Sequence, residues 1–150
     1  MPQSLARLCV HFVFSTKHRE PLLQDSIRKD LHAYMATVLK TMECPAIIIN
    51  SVEDHIHVLI DLGRTASVSG VMEHVKKTTS KWLKTQSPEL RNFAWQAGYG
   101  AFAVSESNVP AVRQYIQNQR EHHQKHTFQE EYRIFLTKHH IPYDERYLWD

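Results

Sequence analysis

Glycine (4 residues) and cysteine (2 residues) are scarce in this chain of 150 residues, and no long apolar run interrupts it. Each scarcity excludes a class. Two cysteines cannot build a disulfide scaffold, and Cys9 and Cys44 lie far apart among apolar neighbours, without the C-x-x-C spacing of a zinc or redox pair. Both are expected as buried thiols. So few glycines, with 6 prolines, exclude a collagen-like or low-complexity chain. No stretch approaches the ~20 apolar residues that span a bilayer, and Met1-Pro2-Gln3-Ser4 lacks the basic-then-apolar profile of a secretion signal. The expected location is cytoplasmic. Charge of one sign is also scarce: 18 Lys and Arg stand against 16 Asp and Glu, a net charge of +2. Any contact with nucleic acid must therefore come from local basic surface.

What remains is an ordinary globular composition, 42% hydrophobic and 23% charged, with 11 histidines. One domain over 1–150 is expected, with a C-terminal extension from about 127. Arg7 to Ser15 alternates as a strand, and Gln24 to Met42 repeats apolar residues at three- and four-residue steps as an amphipathic helix. Ala46 to Val52 and His55 to Leu62 read as a hairpin turning at Glu53-Asp54. Ser67 or Ser69 caps a second helix that runs to about Thr85. Phe93, Trp95, Tyr99 and Phe102 mark one or two strands bent at Gly98 and Gly100. Asn108 and Pro110 open a third helix to about Lys125, and Thr127 with Glu130 forms a capping box for a last one, ended by Ile141-Pro142. The order β-α-β-β-α-β-α-α implies an α+β antiparallel sheet with helices on one face.

Three groupings carry chemistry. Alternation in a strand puts His55 and His57 on one face, while Ile56, Val58 and Ile60 enter the core from the other. Two imidazoles side by side are spaced to share a metal, but a closed site needs a third group from elsewhere. The plain alternative is a pair of partly exposed strand residues pairing across a sheet. On the third helix Tyr115 and Gln119 are four apart, so phenol and amide point the same way, away from Val112 and Ile116. Such a tyrosine suits attack on a metal-bound phosphate, although an amphipathic helix also carries tyrosines with no such role. Between Arg64 and Arg91 six Lys and Arg face two acids, and Lys76, Lys77, Lys81 and Lys84 form a stripe that could neutralise phosphates or serve as a solvated face. Lys17 and Arg19 add two cations near the end of the first strand. His122, His123 and His126 fit a structural or supporting role at a helix end better than a second metal site.

Together, His55-Ile56-His57, the later Tyr115-x-x-x-Gln119 and the intervening Trp95-Gln96-Ala97-Gly98-Tyr99 resemble the single-tyrosine HUH transposases, the TnpA-like enzymes of the smallest insertion sequences, and their REP-associated relatives. The resemblance implies a ferredoxin-like, RRM-like core acting on single-stranded DNA folded into imperfect hairpins. It also implies a divalent ion, Mg²⁺ or Mn²⁺, held by His55, His57 and Gln119. Tyr115 would be the nucleophile, forming a 5′-phosphotyrosine and leaving a free 3′-hydroxyl before rejoining. Similar enzymes are dimers.

Other histidine-pair enzymes fit less well. Histidine-triad hydrolases need a third histidine where Leu59 stands, and metallo-β-lactamase-like enzymes need Asp-His where Leu59-Ile60 stands. Two alternatives stay open: a hairpin-DNA binder that has lost cleavage, and a nickase of the HUH replication-initiator type.

Overall fold

Alternation along the strands decides what the sheet hides on each face. The computed structural model describes residues 2–150, apart from the side chains of residues 122 and 123. Strands β1 (Cys9–Ser15), β2 (Ala46–Ser51), β3 (His55–Asp61) and β4 (Gly100–Val104) form one antiparallel sheet in the order β2-β3-β1-β4. In the central pair, Phe12 lies opposite Val58 and Phe14 opposite Ile56. Their side chains, with Val10 and Ile60, meet Leu31, Met35 and Leu39 of α1 (Asp25–Thr41) and Val71, Met72 and Val75 of α2 (Val68–Leu83). Full burial of such a side chain contributes roughly 1.5–3 kcal/mol, so this face is the main core. The α+β antiparallel class is as the element order implies, but helices on one face alone are not, because α3 and α5 pack on the other.

The second face of the sheet is covered as well. Ile116 of α3 (Val109–Gln117) packs with Cys9 and Leu59, and Phe128, Tyr132 and Leu136 of α5 (Phe128–Lys138) pack with Val13 and Phe102. The third helix and the C-terminal extension thus close over the face that carries His55 and His57. The expected continuous helix to Lys125 is instead two, because Asn118 leaves helical geometry at φ −94° and ψ 28° before α4 (Gln119–Lys125) begins. Asn50 Nδ2 donates to the carbonyls of Ile116 and Gln117, satisfying the exposed end of α3 from the neighbouring strand.

Local signals fared unevenly. Ser67 caps α2, its Oγ accepting from the Gly70 N–H at 3.0 Å, and Thr127 caps α5, its Oγ1 accepting from the Glu130 N–H at 3.2 Å; the Glu130 carboxylate accepts from that hydroxyl rather than from the Thr127 N–H, so the expected box is half formed. Asn108 makes no capping bond, because a 3₁₀ turn over Glu106–Asn108 feeds straight into α3. The aromatic segment yields one strand, β4, and an isolated bridge between Thr16 and Trp95. At Gly100 the need is space: a Cβ would sit 2.9 Å from the Phe102 ring. Cys9 and Cys44 are buried thiols. The chain end is docked, with the Asp150 carbonyl accepting from the Gly98 N–H at 2.8 Å and Trp149 packed against Phe128 and Tyr132. Among the described residues no helix is long and apolar enough to cross a membrane.

Candidate metal centre

β3 delivers both histidines to the covered face, where each is 0% exposed. The pair is therefore buried, not partly exposed, although both residues are paired across the sheet. Each ring is tied at Nδ1: His55 to Asp54 Oδ1 at 2.7 Å, and His57 to His11 Nε2 at 2.8 Å. Both rings thereby turn Nε2 towards one point. Gln119 Oε1 lies 3.2 Å from His55 Nε2. Glu131 completes the approach, with Oε1 3.1 Å from His57 Nε2 and Oε2 3.4 Å from His55 Nε2.

Two helices position the remaining groups. α3 ends just after Tyr115 and α4 starts at Gln119, and the Arg120 ion pair with Glu53 at 3.0 Å fastens α4 to the β2–β3 turn. Tyr115 and Gln119 converge as expected from their four-residue spacing, despite the break between them. The Tyr115 hydroxyl donates to Glu131 Oε1, and Gln119 Nε2 donates to the same oxygen at 3.3 Å. Glu131 comes from the buried stripe Phe128, Glu131, Tyr132 and Leu136 of α5. Sequence reasoning passed over it. The available signal was an acid set three residues after Phe128 and five before Leu136 on an otherwise apolar helical face.

The electrostatics follow from that crowding. Burial lowers His55, but the hydrogen bonds and charges of Asp54 and Glu131 outweigh it and raise its pKa to about 9. Burial raises the Glu131 carboxyl, but His55 and His57 hold it well below the usual carboxylate range. The Tyr115 phenol is pushed far above its ordinary value, first by burial and then by the negative carboxylate it touches. His11, buried and beside His57, is pushed well below 6.5, so it is neutral.

One nitrogen or oxygen from each of His55, His57 and Glu131 lies within 4.8 Å of the others. Glu131 Oε2 is buried, and across the cluster it faces His55 Nε2 at 3.4 Å. Two imidazoles, a buried carboxylate and a neighbouring amide oxygen form a donor set that suits a divalent cation. The group present thus fits a metal, with Glu131 added to the ligands expected from the sequence. A cavity of about 500 Å³ between α3 and α5 is floored by His11, Tyr115, Glu131 and Phe135, so the phenol side of the cluster opens outwards.

The expected basic residues lie in different places. Lys17 and Arg19 follow β1 at the end where Ser15 pairs with His55, and the Arg19 guanidinium lies over the Trp149 ring. α2 packs on the opposite face of the sheet from the histidines, and Lys77, Lys81 and Lys84 are exposed there. Lys76 is a correction to the stripe. Its Nζ turns inward to donate to the carbonyls of Gln96, Ala97 and Gly98 at 2.6–3.3 Å, between the rings of Phe14 and Tyr99. Those bonds set it apart from Lys77, Lys81 and Lys84, which are exposed. The side chains of His122 and His123 lie outside the described residues, and His126 is exposed near Glu130.

Comparison with known proteins places the fold and the family. In fold the chain is similar to a protein of Deinococcus radiodurans R1 assigned as a transposase, at TM-score 0.62 and 19% identity, covering 79% of this chain and 98% of that one. It is also similar to a REP-associated tyrosine transposase bound to a REP hairpin, at TM-score 0.57 and 15% identity, covering 85% and 74%. No curated protein matches. The model of the family described as "Transposase IS200 like" matches residues 4–119, well over half of the sequence, and the chain belongs to that family.

Proposed function

We propose that this chain is a single-tyrosine transposase that cleaves and rejoins single-stranded DNA at hairpin-marked ends, in a metal-dependent reaction through a 5′-phosphotyrosine. The observation that carries the reading is the convergence of Tyr115 with His55, His57 and Gln119, in a chain of the IS200-like family. A relative of the same fold held with a REP hairpin supports the hairpin substrate. His55, His57 and Gln119, joined by Glu131, would hold Mg²⁺ or Mn²⁺. Bound there, a divalent cation offsets the charge on a non-bridging phosphate oxygen, the main obstacle to attack on a phosphodiester.

The chain's own groups do the rest. Tyr115 supplies the oxygen that bonds to phosphorus, the 3′-oxygen leaves and takes up a proton, and the phosphotyrosine keeps the bond energy for rejoining. Glu131 already accepts the Tyr115 hydrogen bond, which makes it the nearest acceptor for the phenol proton. Burial and the same carboxylate push the phenol well above its ordinary pKa. Lys17 and Arg19 extend positive charge from the His55 end of the sheet, and Lys77, Lys81 and Lys84 would engage backbone phosphates only of DNA that passes round the sheet edge. A homodimer is the assembly implied by the resemblance to the HUH enzymes.

The test is to incubate the protein with Mn²⁺ and labelled single-stranded hairpin DNA from the flanks of its gene. A denaturant-stable protein–DNA adduct that needs the metal is the expected result. Tight hairpin binding with no adduct would overturn the catalytic reading in favour of a non-catalytic binder.

A further inference from the structure

His11 is buried at 1% exposure on the same sheet face as the two candidate ligands, on β1 and diagonal to His57: Val13 lies opposite His57, and His11 opposite Leu59. A buried imidazole without a partner is costly, and among the described residues the one side-chain hydrogen bond of His11 joins its Nε2 and His57 Nδ1, at 2.8 Å. Packing fixes the ring as well as the bond. The two imidazoles stack with centroids 5.0 Å apart at 30°, and Phe135 meets the His11 ring edge-on at 5.2 Å. Neither ring can turn without displacing the other.

We propose that His11 is a positioning residue that sets the tautomer of His57 and so aims its Nε2 lone pair at the metal centre. A bond between two imidazoles needs one N–H and one lone pair. His57 Nε2 is the nitrogen that faces Glu131, at 3.1 Å, and it can hold a cation only if it carries no proton. The proton then sits on His57 Nδ1 and is donated to His11 Nε2, whose own proton is on Nδ1. Asp54 does the same for His55, at 2.7 Å, but with an anionic acceptor. The two ligands are therefore supported unequally. His57 is backed by an imidazole where His55 is backed by a carboxylate, so its support is a matter of ring orientation.

The inference rests on the reading of His57 as a metal ligand but not on DNA cleavage, so its test uses no DNA. Mn²⁺ is titrated into the wild type, His11→Phe and His11→Gln. Loss of a partner that orients a ligating histidine typically costs about 10–100-fold in affinity, which is the loss expected for His11→Phe. His11→Gln, whose amide oxygen can accept from Nδ1, should recover most of it. In wild-type protein loaded with diamagnetic Zn²⁺, nitrogen-resolved NMR should place a hydrogen-bonded proton on His57 Nδ1. Mn²⁺ affinity in His11→Phe equal to that of the wild type would overturn the proposal, as would a His57 ring without a proton on Nδ1. If His11→Phe does not fold, the wild-type spectrum and the Gln variant still decide. Failure of DNA cleavage with this metal behaviour intact would fall on the transposase mechanism alone.

Discussion

Tyr115 donates its phenol hydrogen bond to Glu131, 16 residues further along the chain, and the same carboxylate faces Nε2 of both His55 and His57. The candidate nucleophile and the candidate metal site therefore share one buried anion. That anion comes from α5, beyond the 4–119 segment that matches the family model.

Glu131→Gln keeps the side chain's shape and removes its charge. Mn²⁺ affinity should fall by about 10-fold or more, the scale set by loss of a group that holds the site together. His55, relieved of one of the two acids that raise it to about 9, should also titrate lower in the metal-free protein. Metal titration and the ring resonances of His55 measure the two effects. Unchanged Mn²⁺ binding would remove Glu131 from the ligand set and leave Gln119 in its place.

The raised pKa of His55 has a pH signature. A histidine lifted from 6.5 to about 9 contributes its stabilisation in full below pH 6.5 and loses it as the pH climbs towards 9. Metal competes with that proton, so Mn²⁺ affinity should rise through the same window and binding should release a proton. Calorimetry in two buffers of different ionisation enthalpy counts the proton. Affinity that stays level between pH 6.5 and 9 would contradict the account.

His32 has the opposite sign. Burial, aided by Arg28, lowers it to about 4, and its Nε2 pairs with Ser51 Oγ at 2.7 Å. The unfolded chain therefore takes up the proton first as pH falls, and stability is lost from pH 6.5 down to 4 and levels off below. Denaturation curves across that range should show the slope in the wild type and a shallower one in His32→Gln. An equal slope in both would assign the acid sensitivity to other groups.

Much of this was legible in the chain. Period-two alternation placed His55 and His57 on one face and Ile56, Val58 and Ile60 on the other, and the family resemblance supplied Tyr115 and Gln119. Glu131 was not legible because only the packing of α5 across the sheet brings position 131 to β3. His11 was hidden for a similar reason: a histidine alternating in an apolar strand says nothing of its diagonal neighbour. Lys76 looked like one member of a stripe, yet position 76 also faces the 96–98 turn, a contact that no local pattern encodes.

Lys76 and its neighbours should separate in experiment. Lys76→Met leaves three carbonyls without their donor, which should cost about 1–3 kcal/mol and several degrees in Tm. Lys77→Ala with Lys81→Ala should leave Tm nearly unchanged while weakening DNA binding and flattening its salt dependence. Thermal melts and salt-titrated binding measure both. A full-strength salt slope in the double variant would move the DNA surface away from α2.

The central claim is that Tyr115 is the nucleophile. The direct measurement is to form the adduct with Mn²⁺ and hairpin DNA, digest it, and locate the nucleotide-bearing peptide by mass spectrometry. A nucleotide attached to Tyr115, and no adduct from Tyr115→Phe despite retained hairpin binding, is the predicted result. A nucleotide on Tyr99, or an adduct that persists in Tyr115→Phe, would contradict it.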